Sequence, residues 1–170
     1  MIFLPNNAKS AYRQLVQTGE IPHDLPFYVS IAPDSDVSLA PPGDSTMFVL
    51  VPLPLSIMER PEQMPLISAH LKKQVLDRLC THGIRIPYSA IAIERVRTPL
   101  DWAARCGLFQ GSAFGAAHTL SQMGYFRQPN RDRNVSGLYY VGASTVPGTG
   151  VPMVTLGGRM TAERIAADVC

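Results

Sequence analysis

Residues 137–170 read GLYYVGASTVPGTGVPMVTLGGRMTAERIAADVC, and this stretch decides how the chain is organised. Residues 138–141 are an apolar, β-prone run that predicts a strand. A loop of small residues follows, punctuated by Gly142, Pro147, Gly148, Gly150 and Pro152. Pro152 suits the first turn of a helix, where its missing N–H is no loss. The first N–H groups of such a helix are free and sit at the positive end of its dipole, so they favour phosphate, carboxylate or another electron-rich group. Gly157, Gly158, Thr161, Ala162 and Ala166 keep one side of this helix small. With Met153, Val154, Leu156 and Met160 they predict a first half that is buried nearly all round, Arg159 and Glu163 forming an i, i+4 pair on the wetter side.

The chain has 170 residues, enough for one domain with a real core. Only 16% of them are charged, whereas about a quarter is usual, so the fold has either a large interior or an apolar surface kept for a partner, a lipid or a greasy substrate. A net charge of +2 with no basic, aromatic-interleaved cluster argues against nucleic acid. Cys80, Cys106 and Cys170 fit neither a disulfide framework nor a CxxC metal site, which points to a reducing compartment. The N-terminus lacks the features of a signal peptide, and no apolar run is long enough to span a bilayer. Lying against a membrane stays open.

Outward from the closing stretch, residues 7–18 predict a short helix ending at Gly19. Residues 27–32 and 46–51 predict two strands, read as an adjacent antiparallel pair with a long exposed connection. From 61 or 65 to 82 the pattern turns helical, Ile67, Leu71, Val75 and Leu79 recurring every four residues, with Gly83 as the stop. Residues 84–86 and 90–96 predict a short return and a further strand. Pro99 and Asp101 mark a new helix start. The glycine-rich run 107–126 predicts irregular chain with a short helix near 116–122, and PNRDRNVSG (129–137) a polar loop. The pattern as a whole predicts a layered α/β or mixed α+β fold.

Familiar chemical constellations are weak. His23, His70, His82 and His118 have no recurring i, i+3 or i, i+4 ligand partners; the single Cys80/His82 pair suits a helix end better than a metal. Ser112 lies one residue out of the GxSxG elbow, and Ser144 lacks the glycine two residues on, so both read as turn residues and a hydrolase is a minor alternative. Gly148-Thr149-Gly150 starts like GxGxxG but has Met153 in third place, so the dinucleotide fingerprint fails.

The run from Leu138 to Val154, continued by Gly158, Thr161-Ala162-Glu163 and Ile165, resembles the C-terminal signature of the FAD-dependent bacterial and fungal phytoene desaturase family, within the wider flavin amine oxidase-like group. Val146 stands where the family has histidine. Phe27-Tyr28-Val29 with Ala32-Pro33, Ala40-Pro41, Val49-Leu50-Val51-Pro52, the Gly111–Gly115 run, Leu120, Gln122, Tyr125-Phe126-Arg127 and Asn130-Arg131 extend the resemblance, with Gln128 in place of the usual proline.

The resemblance implies that residues 1–135 are part of an apolar, polyene-binding substrate region and that 136–170 are the final strand–loop–helix of the FAD-binding domain. It implies FAD contacts at Gly142, Ala143, Gly150, Val151, Pro152 and Met153, with the helix start facing the flavin; it names no catalytic residue and no metal. Implied substrates are carotenes such as phytoene, desaturated by hydride transfer to FAD at a cytoplasmic membrane surface. The βαβ unit with GxGxxG that holds the ADP half of FAD is missing, so the chain is expected to be a fragment that needs an N-terminal partner region and binds FAD poorly alone. The rival reading is a non-catalytic remnant or accessory module for lipid or apolar ligands. Arg127 and Arg131 read either as neighbours of the tunnel or cofactor or as surface arginines of a polar loop, the second reading being preferred.

Overall fold

The computed structural model describes residues 1–32 and 38–169, so the middle of the loop after the second strand and Cys170 lie outside the described residues. The chain divides into two compact units, Met1–Thr98 and Pro99–Cys170.

In the first unit, β1 (Ile2–Phe3), β2 (Phe27–Ile31) and β3 (Met47–Leu50) form one antiparallel sheet in that order. The register pairs Phe3 with Phe27 and Val29 with Val49, so the period-2 alternation sends Phe3, Phe27 and Val29 to the same buried face. The short α1 (Ala8–Arg13) is capped by Asn7, whose Oδ1 accepts the Ser10 N–H at 3.0 Å. It runs on as a wider π-type turn, Gln14–Thr18, that Gly19 closes in the left-handed conformation (φ 71°). The sheet's partner in the core is α2 (Met64–Thr81), which buries Met64, Leu71, Val75 and Leu79. Val75 and Leu79 meet Phe3, Phe27 and Val29, the two phenylalanine rings stacked at 4.5 Å. Arg78, one residue from Leu79, snorkels off this core: Nη1 donates to Asp24 (2.9 Å) and to the Leu25 carbonyl (2.8 Å).

The paired strands and the long helix match the sequence pattern. The further strand expected over 90–96 does not form: residues 84–96 run as irregular chain with one tight turn, Tyr88–Ala90. Ile84 and Ile86 pack against the core edge, so apolar burial rather than ladder pairing explains that run. The extra strand β1 is only two residues long and gave no pattern to read.

The second unit has little regular structure before its last helix. After α3 (Pro99–Cys106) come three single turns, Phe109–Gly111, Leu120–Gln122 and Gly124–Phe126; the helix expected over 116–122 is reduced to the second of them. The unit ends in α4 (Val151–Val169). Among the described residues no helix is long and apolar enough to cross a membrane. The fold is thus a mixed helix and sheet chain whose sheet is confined to its first unit.

Candidate functional site

The loop entering α4 is built by polar side chains that satisfy its carbonyls from behind. Arg127 is buried, 3% exposed, and its guanidinium spreads over four main-chain carbonyls. Nε donates to Thr145 (3.0 Å), Nη1 to Gln122 (3.0 Å), and Nη2 to Ala116 (3.4 Å) and Ala143. A charge taken out of water needs such partners, and the rigid planar fork supplies fixed donor directions. The expectation of a surface arginine at 127 is therefore overturned; Arg131, paired with Asp168 at 2.9 Å, is the exposed one.

Asn130 does the same three residues later. Its Nδ2 donates to the carbonyls of Val146 (2.9 Å) and Tyr140 (3.3 Å), while Oδ1 is buried without a partner among the described residues. Main-chain bonds complete the frame: Tyr140 N–H to Asn130 (2.8 Å), Val146 N–H to Gln128 (3.0 Å), and both donors of Thr145 to Gly142. The strand expected over 138–141 is not one. It makes a single bridge, Tyr139 to Arg131, because its other edge has no neighbouring strand in this unit.

α4 meets this frame along a narrow line. Gly157 lies against it so closely that a Cβ would stand 3.3 Å from both Pro147 Cδ and the Val146 carbonyl oxygen. One turn on, Thr161 is buried and donates to the Gly157 carbonyl (2.8 Å) and toward that of Tyr140 (3.4 Å). Most of the remaining helix is exposed, with Val154, Gly158 and Met160 half-buried. Val151, Pro152, Met153 and Leu156 are exposed and Val154 and Met160 only half-buried, so the prediction of a first half buried nearly all round fails: small residues give the helix one close contact line within its unit.

Of the six expected cofactor contacts, Gly142 and Ala143 are half-buried in the frame, and Gly150, Val151, Pro152 and Met153 form the exposed helix start. Ala143 is the residue whose carbonyl Arg127 holds, so the backbone at that position is fixed from below. Gly150 adopts φ 103° with open space where a side chain would be, leaving the approach to the helix start unobstructed. Val154 N–H closes the first turn on Gly150 (2.9 Å), while the N–H groups of Val151 and Met153 precede the intrahelical ladder.

The neighbouring polar loop is pinned by Asp132. Its carboxylate accepts the N–H groups of Asn134 and Val135, each at 2.8 Å, and the Tyr140 hydroxyl at 2.8 Å. These bonds, the Asn134 N–H foremost, hold its pKa below the usual carboxylate range, and the same contact raises that of Tyr140. Tyr139 is raised likewise by its hydrogen bond to Asp168. The two serines behave as turn residues: Ser112 Oγ donates to Gly115, and Ser144 Oγ accepts the Ala116 N–H. Among the described residues no three His, Cys, Asp or Glu gather as metal ligands.

No protein-family model matches the chain. It is 37% identical over 147 residues to the zeta-carotene-forming phytoene desaturase of Myxococcus xanthus, covering 85% of this chain and 28% of that protein. It is 32% identical over 169 residues to a phytoene desaturase of Phycomyces blakesleeanus (96% and 29%). Against the 4,4'-diaponeurosporene-forming 4,4'-diapophytoene desaturase of Staphylococcus haemolyticus it is 36% identical over 154 residues (89% and 31%). The chain spans about three tenths of the length of these curated relatives. Over most of its residues it is thus a homologue of the phytoene and carotenoid desaturases, in an extent consistent with a C-terminal part of that family.

Proposed function

We propose that this chain supplies the closing part of the flavin site, and part of the substrate region, of an FAD-dependent oxidoreductase that desaturates a carotenoid precursor. The observation that carries the reading is the loop 142–150, fixed by Arg127 and Asn130 and leading to an open helix start. That start fits the electron-rich edge of a flavin: Gly142 and Gly150 present bare backbone with free space above them, and the dipole of α4 favours negative charge there. Gly142, Ala143, Gly150, Val151, Pro152 and Met153 would hold it. When bound, FAD supplies the acceptor for a hydride equivalent taken from a saturated C–C bond of an isoprenoid.

On this reading residues 1–135 serve the substrate and 136–170 the cofactor. The first unit supports the apolar half. The face of its sheet turned away from α2 carries Ile2, Tyr28 and Leu50 in one cross-strand row, with Phe48 beside them, and Ile2, Tyr28 and Phe48 are exposed. A polyene offers nothing to hydrogen-bond, so contact with such a face would dominate its recognition. A long carotene, a membrane surface reached from the cytoplasmic side and a region bearing the ADP-binding GxGxxG are the partners this function requires.

The chain purified alone is expected to elute colourless from gel filtration. Co-expressed with the remaining part of the Myxococcus xanthus enzyme, it is expected to retain flavin and desaturate phytoene. Stoichiometric flavin on the chain alone would overturn the division of the site. A folded pair that binds no flavin would overturn the function itself.

A further inference from the structure

We propose that the second unit carries a phosphate-binding cleft formed by Arg133, Arg164, Asn134 and Ser136. The cleft has a volume of about 520 Å³, and Pro129, Arg131 and Asp132 complete its lining. Three arginines converge here in a chain whose charge is otherwise sparse, and their counter-ions are already committed. Asp168 takes Arg131 and the Tyr139 hydroxyl. Asp132 is turned into its own loop, where two N–H groups and Tyr140 occupy its oxygens. Glu163, next to Arg164 in sequence, is held by Arg159 at 2.8 Å. Arg133 and Arg164 therefore face the cleft with no ion pair among the described residues.

The chemistry selects the ligand. Two unneutralised guanidinium forks match the oxygens of a phosphate monoester or diester, and the Ser136 hydroxyl and Asn134 amide add neutral donors. Asp132 and Asp168 keep their charge but already accept bonds from other groups, and the lining holds three arginines against the one carboxylate of Asp132. The cleft is also distinct from the helix start: Arg164 lies in the C-terminal half of α4, more than three turns from Val151. The apolar Val135, 53% exposed, stands between Asn134 and Ser136 in sequence, so either a free phosphate or a lipid headgroup could bring the phosphate to this loop.

The test uses the 170-residue chain. Inorganic phosphate is titrated by calorimetry at low salt, and sedimentation is measured with phosphatidylcholine vesicles with and without phosphatidylglycerol. The expected phosphate Kd is about 1 mM, weakening as salt screens the arginines. The double variant Arg133→Gln/Arg164→Gln is expected to bind at least about tenfold more weakly, and Arg105→Gln, in α3 and outside the cleft lining, to bind unchanged. Helical circular dichroism checks that each variant is folded, and single Arg164→Gln gives a second reading if the double variant is not. Binding of free phosphate supports a soluble ligand. Binding only of anionic vesicles, lost in the double variant, supports a headgroup. Equal binding by wild type and double variant, or no binding of either probe by the wild type, would overturn the proposal.

Discussion

The two units solve the problem of burial in opposite ways. Every buried core hydrophobic among the described residues, from Phe3 to Leu79, lies in Met1–Thr98, whereas the buried polar residues, Arg127, Asn130, Thr145 and Thr161, all lie in Pro99–Cys170. The first unit is held by area removed from water, with a helix laid on one sheet face. The second is held by side-chain donors satisfying carbonyls of an irregular chain, which would otherwise be left unpaired. A hydrophobic core tolerates small shape errors; a polar frame sets backbone positions one carbonyl at a time. That is the type of support a ligand-facing loop needs, and it leaves Val151, Met153, Leu156, Ile165 and Val169 of α4 exposed.

Truncation should separate the two modes most sharply. Arg127→Met removes one charged donor from several buried carbonyls at once and is expected to cost about 4 kcal/mol, seen as lost hydrogen-exchange protection over 127–161 with the sheet unaffected. Leu79→Ala is expected to cost about 3 kcal/mol and to expose β2 and α2 instead. If both variants loosened the same residues, the contrast between the units would fail. Arg127→Lys should recover little, since one ammonium cannot reach carbonyls set out for a planar fork.

A smaller effect tests the contact line of α4. Gly158→Ala has open space for its methyl and is expected to raise stability by about 0.5–1 kcal/mol through helix propensity. At Gly157 the same gain is offset by the crowding at Pro147 and Val146, so Gly157→Ala should be neutral or destabilising in thermal melts. Equal stabilisation at both positions would mean that the helix does not sit on the loop as described.

The mildest effect is a pH dependence. The folded-state pKa of Asp132 is depressed, so its contribution is present in full above the unfolded value of about 4 and is lost as pH falls through the lower folded one. The raised values of Tyr139 and Tyr140 act at the other end: their contribution is full below about 10 and disappears as pH rises through the folded values. Asp132→Asn should therefore flatten the acid side of the stability profile of the second unit, measured by hydrogen exchange, and leave the first unit unchanged. An unaltered acid limb would show that the turn at 132–135 adds nothing.

What was legible followed from periodicity and punctuation. The four-residue spacing of Leu71, Val75 and Leu79, the β-branched and aromatic composition of β2, the glycine stop at Gly83 and the Pro99 and Pro152 helix starts all report local preferences, and these follow from adjacent residues. The expectations that failed were those needing a partner far along the chain. Residues 138–141 and 90–96 have strand-like composition, yet a strand exists only beside another strand. Arg127 and Asn130 lie in a run that reads as a polar loop, and no sequence feature marks which of Arg127, Arg131 and Arg133 turns inward.

By itself, the amino-acid sequence determined the positions of α1 to α4, the two main strands, the glycine–proline path into α4 and, through its resemblance, the family. Only the tertiary structure decided that this path is held by one buried guanidinium and one buried amide, that α4 touches it along Gly157 and Thr161, and that the helix start stays open. The physical reason is range. Helix starts and glycine turns are set within a few residues, whereas a carbonyl is satisfied by whatever donor the fold brings to it, here from 16 and 18 positions away.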